Sequence, residues 1–152
     1  MADLSLVGRC GLYCGACGIY RAYRDGGDYL KEVAESFDCS PQLVRCEGCQ
    51  ELTPECWGHN CKIVNCLRGK GFSFCHECSD LKSCPKHSKL HEGYEELGVD
   101  IKGNLERIKA GDAEGWVMEQ ESKWRCKSCG KPISCHMEEC HQCGAKLDII
   151  PK

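Results

Sequence analysis

Cysteine recurs along this chain in pairs two residues apart: Cys14/Cys17, Cys46/Cys49, Cys75/Cys78, Cys126/Cys129 and Cys140/Cys143. A C-x2-C turn aims two sulfurs at one point, which is how a backbone chelates a soft metal ion. In all, 17 of 152 residues are cysteine. At that density a short chain is held by cross-links or metal and not by an apolar core alone. Disulfides fit poorly: the number is odd, and the start, MADLSLVGRC, has neither the basic residues nor the apolar run of an export signal. The expectation is therefore metal thiolates in a reducing cytoplasm. No stretch approaches the ~18 apolar residues of a membrane-spanning helix.

Charge narrows the partners. The formal net charge is −3 with every cysteine neutral. Three four-thiolate centres would bring it to about −9. Nucleic-acid binding depends on excess positive charge against phosphate, so a nucleic-acid partner is disfavoured and another protein is the expected one.

The cysteines fall into two groups. Twelve lie between residues 10 and 84, none between 85 and 125, and five between 126 and 143. This divides the chain into a Cys-rich metal-binding domain (1–88), a helical connector (89–123) and a C-terminal ribbon (124–152). In the first part DYLKEVAESF (28–37) reads as a helix capped by Asp28, with Leu30, Val33, Ala34 and Phe37 on one face. Ser40-Pro41 reads as a second helix start covering Leu43 and Val44. CKIVNCLRGKG reads as a third, stopped by Gly69 or Gly71. In the connector, Gly98 suits a helix end. Ile101, Leu105 and Ile108 make one buried face, and Gly111-Asp112 opens a helix over 113–123 with Trp116, Val117 and Gln120 on one side. These connector faces are expected to pack against the cysteine-rich part. The fold class expected is small α+β, stabilised by metal and largely unfolded without it.

The segment WRCKSCGKPISCHMEECHQCGAKL carries the most specific signal. Cys126-x2-Cys129-Gly and Cys140-x2-Cys143-Gly stand ten residues apart. Four such thiolates fill a tetrahedral Zn2+ site, and the following glycines release each turn. The spacing reads as a zinc ribbon. Cys135, His136 and His141 read as ordinary loop residues.

The N-terminal ligand candidates are Cys10, Cys14, Cys17, Cys46, Cys49, Cys61, Cys66, Cys75, Cys78 and Cys84. Cys39 reads as a buried filler, and Cys56 has no evident place. CGACG looks like a zinc knuckle. CGLYCGAC (C-x3-C-x2-C) and Cys84-Pro85 instead suit a 4Fe-4S cluster. Spacing leaves Zn2+ and 4Fe-4S both open. A radical-SAM reading of the opening motif needs a β/α barrel of roughly 200 residues or more, which this chain is too short to supply. His59 and His76 are substitute ligands at most, and His87-x3-His91 reads as solvent-exposed.

The order CGLYCGACGIY, CEGC (46–49), CKIVNC (61–66) and FCHECSDLKSCPK (74–86) resembles a family of bacteria and archaea called domain of unknown function 3795. The resemblance covers residues ~8–90 and implies a cysteine-rich metal-binding module without an established reaction. Where many members carry Arg within the C-x4-C unit, this chain has Ile63-Val64-Asn65. The ribbon stands outside the resemblance. Neither a phosphate-binding glycine loop nor a zinc-hydrolase helix motif is present, and no nucleophile–base set stands out. The leading expectation is a non-enzymatic zinc-binding structural or protein-interaction adaptor. An iron–sulfur electron-transfer or accessory protein is the first alternative, and a nucleic-acid-binding zinc ribbon the second.

Overall fold

A computed structural model describes residues 3–48, 50, 54–57 and 61–147. Cys49 and His59 lie outside them. Among the described residues six α-helices follow one another: α1 (Gly18–Asp25), α2 (Gly27–Ser36), α3 (Lys62–Lys70), α4 (Pro85–Glu95), α5 (Ile101–Lys109) and α6 (Ala113–Lys123). Among the described residues the β structure is three isolated antiparallel bridges, Val7 to Tyr13, Arg125 to Pro132 and Glu139 to Lys146. The α+β expectation is corrected accordingly: the protein is mostly helical. Each of the two C-terminal cysteine turns closes after one bridge, and among the described residues no ladder extends from it.

Local signals explain most of the elements. Asp100 caps α5, its Oδ1 accepting from the Gly103 N–H at 3.0 Å. Gly71 ends α3 in the left-handed conformation. The helix expected from Asp28 begins one residue earlier, with Gly26 at the cap and Asp28 in the first turn. The helix expected from Ser40-Pro41 is a single 3-10 turn, Pro41–Leu43, in which the Ser40 hydroxyl turns to the Gln42 side chain and caps nothing.

The main core is shared by the two ends of the chain and the helices between them. Val7, Leu12, Tyr13 and Ala16 meet Ile101, Trp116 and Val117, and Ile133, Cys135 and Met137 close it from the C-terminal side. Tyr13 stands edge-on to Trp116, ring centres 6.2 Å apart. Leu105 belongs to a second cluster with Ile63, Leu67 and Cys75, which ties α5 to α3. A third, Ala22, Ala34 and Val44, holds α1 and α2 together, and Cys39 packs at its edge.

The opening motif is folded tightly onto α5. The Gly8 N–H donates to the Leu12 carbonyl at 2.8 Å, and the Asn104 side chain donates to the Gly11 carbonyl at 2.9 Å. Gly11 has φ +98°, and a Cβ there would lie 2.3 Å from the Ile101 carbonyl oxygen. Only glycine meets both conditions.

Candidate metal centre

Two matching turns build the C-terminal centre. In the first, the Gly130 N–H donates to the Cys126 carbonyl at 2.8 Å and the Cys126 N–H to the Lys131 carbonyl at 2.9 Å. In the second, the Gly144 N–H donates to the Cys140 carbonyl at 2.8 Å and the Cys140 N–H to the Ala145 carbonyl at 2.8 Å. Gly130 and Gly144 take φ of 74° and 77°, which turns each backbone so that its amides face sulfur. The Ser128 N–H reaches Cys126 Sγ at 3.4 Å and the Gln142 N–H reaches Cys140 Sγ at 3.4 Å.

The four sulfurs of Cys126, Cys129, Cys140 and Cys143 all lie within 4.8 Å of one another. Cys126 Sγ is 3.6 Å from Cys143 Sγ, and Cys129 Sγ is 3.7 Å from Cys140 Sγ. Crowding spreads their acidity. The backbone N–H of Cys129, with that of Ser128, pulls the Cys126 thiol down to about 6. At Cys143 the Ala145 N–H pulls down, but burial and the three neighbouring sulfurs prevail and push it up to about 12. One thiol gives up its proton readily and another clings to it; a cation held at the centre would take the place of those protons.

The loop between the turns is a docking surface. The Cys135 N–H donates to the Ala16 carbonyl at 2.8 Å. Tyr29 OH and Ser134 Oγ are 2.9 Å apart, and His136 packs against Gly18. His141 Nε2 lies 2.5 Å from Asp25 Oδ2, at the end of α1. Burial, with Cys17 next, pushes the Cys135 thiol up to about 12. Cys135, His136 and His141, expected as loop residues, thus fasten the cysteine turns to α1 and α2. The sequence carried no sign of this, because the partners are more than a hundred residues away.

The N-terminal ligand candidates among the described residues fall in two parts of the fold. Cys14 is buried in the 3-10 turn Cys14–Ala16, and Cys17 caps α1. Cys46 is buried, and beside it the Gln50 side chain donates to the carbonyls of Leu4 and Val7. The second part is built by α3, the 3-10 turn Cys75–Glu77 and the start of α4. There Cys66, Cys75, Cys78 and Cys84 line one small cavity of about 20 Å3. Burial pushes the Cys75 thiol up to about 12, aided by Cys84, Cys66, Cys78 and Cys61 in that order. Cys61, at the exposed start of α3, stands at the margin of this group, and Cys10 packs against its apolar wall.

His87 corrects an expectation outright. It is wholly buried, with Nε2 2.8 Å from the Cys10 carbonyl oxygen. The neighbouring His91 is mostly covered and faces Glu95 and Asp100. His76 stacks on Phe74 with the rings 4° from parallel.

Fold and site together define a small, mostly helical, cysteine-rich protein with a candidate metal-binding cluster near its C-terminus. A family comparison matches residues 6–89 to the family described as "Protein of unknown function (DUF3795)", and the chain belongs to that family. Comparisons with curated proteins and with solved structures give no match. No helix among the described residues is long and apolar enough to cross a membrane.

Proposed function

We propose that the protein is a zinc-held structural or protein-interaction adaptor, in which Cys126, Cys129, Cys140 and Cys143 bind one Zn2+ as a ribbon-like clip. The sulfur spacing carries this reading. Sulfurs held about 2.3 Å from one tetrahedral zinc stand about 3.8 Å apart, and the pairs here stand 3.6 and 3.7 Å apart. Four thiolates also leave no coordination position for a substrate or an activated water, which a catalytic zinc keeps open. The clip's work is then mechanical: it fixes the loop that carries Ser134, Cys135 and His136, and the turn that carries His141, against α1 and α2.

The test is metal analysis on protein purified without oxygen, wild type beside the double variant Cys126→Ser/Cys143→Ser. The expected result is about one zinc fewer per chain in the variant. An unchanged zinc content would overturn the assignment, and robust turnover of a defined substrate would overturn the adaptor role.

A further inference from the structure

We infer that Cys66, Cys75, Cys78 and Cys84 are the ligands of a 4Fe-4S cluster, a second metal centre distinct from the C-terminal clip. The inference deepens the metal-binding reading but does not depend on what the clip binds.

Three observations converge. First, the four thiols come from three adjoining elements and face one cavity, whose other walls are Ile63, Leu67, Leu81 and the side chains of Lys70 and Lys86. Cys75 is buried, while Cys66, Cys78 and Cys84 are half-buried. Second, the thiols stand too wide for one ion. Among the described residues, the C-terminal four are the set whose sulfurs come within 4.8 Å of one another; no three of this second group do. A single zinc draws its sulfurs to about 3.8 Å, whereas a cube of four irons, each with its own thiolate, holds them farther apart. Third, the surroundings suit an anionic cluster. Lys70 Nζ donates to Cys78 Sγ at 3.2 Å. Ile63, Leu67 and Leu81 supply an apolar part of the wall, and apolar cover with few donors to sulfur is what stabilises and tunes an iron–sulfur centre.

Backbone hydrogen bonds position the ligands. The Cys75 N–H donates to the Arg9 carbonyl at 2.9 Å, and the Cys78 N–H to the Cys75 carbonyl at 3.1 Å. Cys84 precedes Pro85 at the first position of α4, and its carbonyl accepts from the Ser88 N–H at 3.0 Å. The ligand set is therefore C-x8-C-x2-C-x5-C-P, and the opening CGLYCGAC lies outside it.

The test uses the full chain, purified without oxygen and reconstituted with ferrous iron and sulfide. The wild type should carry about four irons and four sulfides per chain with a broad band near ~400 nm, and iron-edge X-ray absorption should show a short iron–iron distance. Cys66→Ser and Cys84→Ser, both at half-buried thiols, should lose most of the iron and keep the zinc of the clip. Cys61→Ser should keep both. Cys126→Ser/Cys143→Ser should lose zinc and keep iron, so failure of the clip and failure of the cluster are read separately. A wild type that stays colourless and takes up a further zinc would overturn the inference. Full iron in both Cys66→Ser and Cys84→Ser would also overturn it, by placing the cluster on other thiols.

Discussion

The imidazole of His87 is sealed inside the protein with Nε2 2.8 Å from the carbonyl oxygen of Cys10, joining α4 to the opening motif. Its Nδ1 is buried without a hydrogen-bond partner among the described residues. Burial holds its pKa below the ordinary value; the Cys10 carbonyl raises it, and Lys102 and His91 lower it further. The unfolded chain keeps the ordinary histidine value of about 6.5. Above that pH both states are neutral and nothing is lost. Below it the unfolded state takes up a proton that the folded state refuses, so stability falls as pH falls, by at most about 1.4 kcal/mol per pH unit. His87→Gln keeps a donor for the Cys10 carbonyl but does not titrate. Between pH 7 and pH 5, denaturant melts should therefore show wild type losing stability faster than His87→Gln. Parallel losses would mean that the imidazole protonates in place.

His87 also marks where the sequence stopped being informative. The Cys126–Cys143 turns were legible because their ligands and glycines are local, and the faces of α5 and α6 because their apolar spacing is. The burial of His87 depends on the opening motif folding across α4, which no local pattern encodes. Ser40-Pro41 and Asp28 failed for the opposite reason: the local signals were present, but the tight α1–α2 turn at Gly26 and the contact of Val44 with Ala22 and Ala34 decided the backbone. At the second cysteine group the spacing supplied the candidates, and only the fold could say which of them face one another.

Asp25 and His141 should be energetically coupled. Asp25 is gripped from two sides, by Arg21 at 3.6 Å on its own helix and by His141 at 2.5 Å from the second cysteine turn. Both partners of the long-range contact are mostly shielded from water, so it escapes much of the screening that weakens surface pairs. Asp25→Ala and His141→Ala should each cost about 1–2 kcal/mol. The double variant should cost less than their sum by about 1 kcal/mol. Additive losses in a double-mutant cycle would show that the contact does not fasten the turn to α1.

Gly11→Ala should be far more damaging than an alanine usually is. The new methyl would meet the Ile101 backbone oxygen and Leu105 Cγ, at a φ that side chains rarely adopt. Neither the carbonyl nor the wholly buried Leu105 has room to retreat. The expected loss is about 2–3 kcal/mol, read as a lower melting temperature. Gly69→Ala, in the exposed last turn of α3 with open space around its Cβ position, should leave stability unchanged or raise it. Equal effects at the two positions would show that the opening motif does not rest on α5.

Removal of the metal proposed for the C-terminal clip should expose Cys135. That thiol is buried in the main core beside Ile133, held by the hydrogen bond from its own N–H to the Ala16 carbonyl, and kept protonated well above neutral pH. Alkylation requires both access and the thiolate, so Cys135 should resist iodoacetamide in the metal-loaded protein. The segment that buries it is short and is closed at both ends by the four-thiolate turns, and without metal those turns lose the force that closes them. After chelation, peptide mapping by mass spectrometry should show Cys135 modified along with Cys126, Cys129, Cys140 and Cys143. If those four react while Cys135 stays protected, the core contacts of Ile133, Trp116 and Val117 hold the segment by themselves, and the metal shapes the turns without docking them.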